Sequence, residues 1–477
     1  MAAAERLGCR AWRSIPIVLE TILTHKRAEV AARMAGTSLE SLRARSVPSE
    51  RSFARAIRAG RPGFILEIKF ASPSAGVIRA GNDLEPVLAS YGRHADAVSV
   101  LTDQQFFGGS LERLTRVRRQ LDQPLLAKDF ILEPYQVVEA RVHGADAILL
   151  ILAAIDDQTW RACADEAGRL GMEVLTEVHD EAEASRAVAL GAGIIGINNR
   201  DLRTLAVDAD TTARVSPRIP PDRLVVAESG IASRETVARL RPHADAFLVG
   251  SALMGAPDLD RAVRDLVYGR TKICGLTSAE DAARALEAGA THGGLMFAAD
   301  SPRRISASAA REVSAGAPLS WVGVFADQPP EEIAAAAADL DLAAVQLHGH
   351  ESPDQAAEVR RQVPAATAVW KAERIRDAIP SSPHADRLVL DGWTAGRLGG
   401  TGQSFDWRLL ADYPGRAEVV LAGGLRAANV AAAAALETWA LDASSGVESA
   451  PGRKDPVLLR DFFTQRRRLP GRGDSPA

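Results

Sequence analysis

Cysteine is scarce in this chain of 477 residues: Cys9, Cys163 and Cys274 are the only three, and they lie far apart. That spacing supplies neither a disulfide framework nor a zinc site, and it fits a protein of the reducing cytoplasm. Neither sign of charge dominates. Lys and Arg number 57 against 61 Asp and Glu, a formal −4, so the basic footprint of a nucleic-acid binder is absent. No apolar run approaches the ~18 residues needed to cross a bilayer, and residues 1–13 lack the continuous apolar stretch of a secretory leader. With 47% hydrophobic and 25% charged residues, the composition is that of a globular protein. We expect it in the cytoplasm, without membrane or nucleic-acid partners and as a monomer.

At roughly 100–200 residues per domain the length allows two to four domains, and two if each is an α/β barrel of about 250 residues. After a helical, Arg-rich opening (Ile15 to Arg58), short β-branched runs recur: 64–69, 96–101, 125–128, 146–151, 173–178, 194–198, 224–228 and 246–249. Helical spacing fills the gaps, and successive runs start about 20–30 residues apart, the period of a βα unit. A second set of eight follows: 272–275, 293–297, 321–325, 343–347, 367–371, 387–391, 418–422 and 440–442. Two sets of eight predict an α/β chain of two tandem (β/α)8 TIM barrels joined near Val267–Arg270. The first domain is then 1–268, with a helical extension, and the second 269–477, ending in a short disordered tail from Gly471.

Both halves end alike. Ser229-Gly230 is followed by Gly250-Ser251, and Gly423-Gly424 by Ser444-Ser445-Gly446. Small residues after strands seven and eight leave backbone N–H groups free beside a short helix, the usual phosphate site of this fold. One such pair could be an ordinary turn; the duplication argues for a phosphorylated ligand in each half.

Several predicted strand ends carry charge. Glu67 and Lys69 alternate with apolar neighbours on the first strand, Lys128 ends the third, Glu177 the fifth and Glu228 the seventh. Such groups are seldom buried unless paired, so an internal ion-pair network is one reading. The other is chemical: the C-terminal rim of a barrel holds catalytic groups, and lysines and glutamates crowded there have displaced pKa values. No His cluster or Cys pair accompanies them, so we expect acid–base chemistry with no metal and no cofactor.

The runs ILEIKFASPSAGVIR (65–79), SVLTDQQFFGGS (99–110), LLAKDFI (125–131), VLTEV (174–178), IGINNRDL (195–202), VVAESGI (225–231) and FLVGSALM (247–254) resemble indole-3-glycerol phosphate synthase. The resemblance implies that Lys128 is the general acid of indole-ring closure, that Lys69 holds the substrate carboxylate and that Glu177 is the base for dehydration. It implies that Glu67, Asn198 and Glu228 orient the substrate, with Arg200 nearby and Phe107 and Leu149 as apolar walls. Ser72, Ser229, Gly230, Gly250 and Ser251 would bind phosphate. Phe70 stands where relatives often have a basic residue; it should point away from the barrel interior.

In the second half, Cys274 ends the first strand, Asp391 the sixth, and Arg303 follows the second. Separately, these read as a core thiol, an odd carboxylate and a surface cation; together they offer a base, an acid and an anion clamp. The runs TKICGLTS (271–278), SPRRI (301–305), VGVF (322–325), VQLHG (345–349), GGTGQSFDW (399–407), LAGGL (421–425) and LDASSGVES (441–449) resemble phosphoribosylanthranilate isomerase. The resemblance implies an Amadori rearrangement with Cys274 as base and Asp391 as acid. Arg303 would pair with the anthranilate carboxylate, and Gly402, Gly424, Ser445 and Gly446 would lie near phosphate. Residues 393–398 are expected to form a mobile loop over the site. His348 and His350 read as ordinary loop histidines. Both resemblances together imply a bifunctional enzyme of tryptophan biosynthesis acting on small phosphosugar–anthranilate substrates. Two alternatives stay open: one barrel only binds phosphosugar, or the isomerase barrel also accepts the analogous histidine-pathway substrate.

Overall fold

The computed structural model describes residues 19–472 except 82, 203, 377, 381–384, 393–404 and 411–412. The chain divides into two compact units, Met1–Val263 with Pro470–Ala477, and Arg264–Leu469. The helix Leu259–Tyr268 runs across the division.

In the first unit, β1 (Gly63–Ile68), β2 (Ala97–Leu101), β3 (Leu125–Lys128), β4 (Ala147–Ile151), β5 (Glu173–Val178), β6 (Ile194–Asn198), β7 (Leu224–Glu228) and β8 (Ala246–Val249) close into a parallel barrel. Alternation decides what fills it. Ile65, Ala97, Leu126, Ala147, Leu149, Leu175, Ile194, Val226, Ala246 and Leu248 form one buried cluster. The next inward positions toward the C-terminal rim carry the polar groups, because side chains on one strand face repeat every second residue. Helix α1 (Leu19–Gly36), α2 (Leu39–Arg45) and α3 (Phe53–Gly60) precede the barrel. Ser52 caps α3, accepting from Arg55 N at 3.1 Å, and its Phe53 and Ile57 are fully buried in the same cluster as Ile65 and Ala97. Gly63 is required there: a Cβ would overlap the Ile57 carbonyl.

The expected disorder of the tail does not hold for its first residues. Arg472 donates to Asp245 Oδ2 at 3.1 Å and to the Ile219 carbonyl at 3.0 Å. An arginine fork with a carboxylate and carbonyls in reach pins a segment whose composition alone gives no order.

In the second unit, β9 (Thr271–Cys274), β10 (His292–Met296), β11 (Ser320–Phe325), β12 (Ala344–Leu347), β13 (Ala368–Ile375), β14 (Arg387–Gly392), β15 (Val419–Leu421) and β16 (Ala440–Ala443) close a second parallel barrel. Val322, Ala344, Trp370, Val389, Val420 and Ala440 fill its interior. Trp439, before β16, packs edge-on against Trp370 and carries the Arg387 guanidinium 4.8 Å above its ring. Strand β13 runs four residues beyond the expected Lys371, since its register with β14 continues through Arg374↔Asp391 and Ile375↔Gly392. The sequence KAERI hides this because its charges read as loop.

Candidate active sites

The first unit holds a cavity of ≈ 390 Å³ at the C-terminal rim of its barrel. It is lined by Glu67, Lys69, Lys128, Glu177, Asn198 and Glu228 from five strands and the residue after β1, with Phe107 and Leu149 as apolar wall. Arg200 and the small residues Ser72, Ser229, Gly230, Gly250 and Ser251 complete the lining. Every residue expected at this site is thus brought to one cavity. The ion-pair reading of the strand-end charges holds, since the groups pair among themselves. Lys69 Nζ lies 2.6 Å from Glu67 Oε2. Lys128 Nζ contacts Glu228 and is 3.3 Å from Glu177 Oε2. Asn198 Nδ2 donates to Glu177 Oε1 at 3.1 Å.

Close approach explains the glycines. A Cβ on Gly250 would strike the Glu67 carboxylate, and one on Gly196 the Glu228 carboxylate. Ser229 (φ 64°) and Gly230 (φ 74°) both take left-handed backbone where they line the same cavity.

The charges set one another. Burial alone would lower the Lys128 ammonium, but Glu228, Glu177 and Glu67 hold it above its ordinary value. Burial raises the Glu177 carboxyl; Lys128 and His179 outweigh it and hold the group below the usual range. Glu228 is pushed up to about 7 by burial, with Lys128 opposing and the neighbouring carboxylates adding to it.

In the second unit, Cys274, Asp391 and Arg303 are all buried, on the end of β9, on β14 and after β10. Burial pushes the Cys274 thiol up, against the pull of Lys272. Burial likewise raises Asp391 to about 6, although its Oδ1 accepts from Gly392 N at 2.8 Å. Arg303 is not a solvated surface cation. Its Nε lies 2.9 Å and its Nη2 2.7 Å from the Glu448 carboxylate, and Glu448 also accepts from Lys454 Nζ at 2.6 Å. At the rim, Gly424 (φ 67°) follows β15, and Ser445 and Gly446 form a short turn after β16. A Cβ on Gly446 would overlap the Leu425 carbonyl. Gly402 and the expected loop 393–398 lie outside the described residues.

The profile of the indole-3-glycerol phosphate synthase family matches residues 19–266, and that of N-(5′-phosphoribosyl)anthranilate isomerase matches 271–465. Over 452 residues the chain is 46% identical to the tryptophan biosynthesis protein TrpCF of Vibrio cholerae, covering 94% of this chain and 96% of that one. The chain belongs to the bifunctional synthase–isomerase family of tryptophan biosynthesis. The TrpCF of Yersinia pestis is 45% identical, with 94% and 93% covered. A crystal structure of phosphoribosyl anthranilate isomerase from Thermus thermophilus is 39% identical, covering 41% of this chain and 97% of that one, at a TM-score of 0.37. By the residues that the two family profiles match, the synthase barrel is N-terminal and the isomerase barrel C-terminal. Among the described residues no helix is long and apolar enough to cross a membrane.

Two groups beside these sites, His179 and Lys26, went unread in the sequence, and a third, His348, was misread. In the synthase barrel, His179 Nε2 is 3.3 Å from Glu177 Oε1 and its Nδ1 3.1 Å from Glu183 Oε2; although burial opposes it, the two carboxylates raise the imidazole to about 10. Its spacing of two from Glu177 was the available signal. Lys26 of α1 is wholly buried, 2.8 Å from Asp103 and 2.9 Å from Asp129, which seats Leu19 and Ile22 on the cavity. In the isomerase barrel, His348 is no ordinary loop histidine: Nε2 stands 4.0 Å from Asp391 Oδ2, and burial lowers it to about 4, so it is neutral.

Proposed function

We propose that in the synthase barrel (1–268) Lys128 donates the proton that promotes ring closure, Lys69 holds the substrate carboxylate, and Glu177 is the base for dehydration. Glu67, Asn198 and Glu228 orient the anthranilate and ribulose parts, with Arg200, Phe107 and Leu149 around them. Ser72, Ser229, Gly230, Gly250 and Ser251 take the phosphate. The substrate is 1-(2-carboxyphenylamino)-1-deoxyribulose 5-phosphate. Its carbonyl is protonated as the aromatic carbon attacks; carbon dioxide and then water leave, giving indole-3-glycerol phosphate. An ammonium that keeps its proton has one to give, and a carboxylate that stays ionised can accept one, although each is held at the weak end of its role until the substrate alters the charges around it.

The reading for the isomerase barrel (269–477) is that Asp391 protonates the ring oxygen of N-(5-phosphoribosyl)anthranilate while the Cys274 thiolate removes the C2′ proton. The enol formed then tautomerises to the ketose, and the proton on Cys274 returns to Asp391 through solvent. Glu448 occupies the Nε and Nη2 edge of Arg303, so the substrate carboxylate would meet the Nη1 edge. Gly402, Gly424, Ser445 and Gly446 would take the phosphate. The product of this barrel is the substrate of the other. We place the protein in the cytoplasm, as a monomer needing no cofactor.

One observation carries the assignment: Lys128 faces Glu177 and Glu228 in a single cavity rimmed by Ser229-Gly230 and Gly250-Ser251. Glu177→Gln tests it in a single turnover. Carbon dioxide should be released as in wild type while indole absorbance fails to appear. Indole formation at the wild-type rate would contradict Glu177 as the dehydration base.

A further inference from the structure

We propose that Lys272 is a positioning residue of the isomerase barrel: its ammonium, pinned inside the barrel by Asp442 and Gln346, is the counter-charge against which Cys274 becomes a thiolate. The inference rests on Cys274 being the base of the isomerisation.

Lys272 and Cys274 are two apart on β9, so both face inward. The lysine is fully buried, with Nζ 2.7 Å from Asp442 Oδ2 and 3.0 Å from Gln346 Oε1. Opposite them is Gly294, paired with Cys274 across β9 and β10. A Cβ on Gly294 would lie 2.8 Å from Cys274 Sγ and 3.0 Å from Lys272 Cε, so the two side chains converge over that glycine. A plain structural ion pair would close on itself. Here Asp442 Oδ1 is buried without a hydrogen-bond partner among the described residues, while the lysine also faces the thiol across Gly294.

The charged groups facing Cys274 come from several elements. Lys272 is on its own strand, Asp442 is on β16, and Lys454 donates to the Cys274 carbonyl at 2.6 Å. The Arg303 stem packs over Gly275, where a Cβ would overlap it. Against burial, Lys272 is the largest force favouring the thiolate, and Asp442 works against it. Lys272 itself stays charged: burial lowers it, but Asp442 and Cys274 more than compensate. When Cys274 ionises, its S–H bond breaks, the proton passes to solvent water, and the electron pair stays on sulfur facing the ammonium. That pair then takes the C2′ proton and restores the thiol.

The test is the pH dependence of Cys274 alkylation by iodoacetamide in the full chain, read by mass spectrometry of its peptide. An opposite charge in contact favours an ionised form by about 1–3 pKa units. Lys272→Met should therefore raise the midpoint by about that much, and lower isomerase kcat about tenfold per unit at neutral pH. Asp442→Asn should lower the midpoint, because the ammonium then has only the thiolate as counter-ion. Protection of Cys274 by substrate shows that the barrel is folded in each variant. Opposite shifts support the proposal. An unchanged midpoint in Lys272→Met, or shifts of the same sign in both variants, overturns it. Should Lys272→Met fail to fold, Asp442→Asn decides alone: a lower midpoint supports, an equal or higher one overturns. Loss of the parent reading looks different, since Cys274→Ser would then keep isomerase activity whatever the alkylation midpoints do.

Discussion

Glu177 and Glu228 both face the Lys128 ammonium, yet their carboxyls are displaced in opposite directions. Burial raises both. At Glu177 the lysine charge, His179 and the Asn198 amide outweigh burial. At Glu228 the lysine is opposed by two other carboxylates, Glu177 and Glu67, which add to burial. Like charges in one site separate in this way. One carboxylate remains ionised, and the other titrates near neutrality.

That asymmetry predicts a pH profile. Below about 7 Glu228 is protonated, and Lys128 faces one fewer negative charge. Ionising Glu228 makes Lys128 a weaker acid. Indole formation from the carboxyphenylamino substrate should therefore slow as pH rises through about 7, and the slope should vanish in Glu228→Gln. Rates measured from pH 5.5 to 8.5 (roughly the window around neutrality) decide it; a limb near 7 that survives in Glu228→Gln would assign it elsewhere.

Lys26 predicts a stability effect. It is buried with Asp103 and Asp129, themselves buried, as its partners. Breaking a buried pair from one side costs about 3–5 kcal/mol. Lys26→Met should destabilise the synthase unit by that order in urea unfolding, and raise its KM because Leu19 and Ile22 lose their seat on the cavity. Partial recovery is expected in Lys26→Met/Asp103→Asn.

The isomerase barrel should show a level pH profile. In the proposed roles Asp391 must be protonated and Cys274 ionised, yet Asp391 sits at about 6 and the thiol is raised by burial. Above pH 6, each unit removes a tenfold share of the acid form and supplies a tenfold share of thiolate. The two cancel, so kcat/KM should be flat from about 6 up to the thiol's own range. In Asp391→Asn only the thiolate is left to titrate, and the residual rate should climb about tenfold per unit. A flat profile in that variant would remove Asp391 from the acid role.

Cys274→Ser replaces a thiol by a hydroxyl that hardly ionises near neutrality. A general base contributes about 10²–10⁴ in rate, so isomerase kcat should fall by that order while substrate still binds. Retention of more than about a tenth of wild-type kcat would make Cys274 a core residue.

The barrels were legible because most strands are short apolar runs, many of them β-branched, recurring at the period of a βα unit, and all sixteen appear where such runs stand. The charged cavity rim was legible because Lys128 and Glu228 stand at the ends of apolar strands, where the barrel brings them together. What escaped depends on partners far along the chain. Lys26 reads as one more cation in an Arg-rich helix until Asp103 and Asp129 close around it. Arg303 reads as a loop cation until Glu448 folds back onto it. His348 was discounted for want of a third metal ligand, and only the closed barrel brings Asp391 beside it. Arg472 gave no sign of its contact with Asp245.

The central claim is two separate active sites in one chain, and a crossed assay tests it most directly. Lys128→Ala and Cys274→Ser are each measured with both substrates, beside wild type with matching circular dichroism. Lys128→Ala should lose indole formation by about 10²–10⁴ and keep isomerase kcat; Cys274→Ser should do the reverse. A folded variant of either kind that lowers both activities equally would contradict the account.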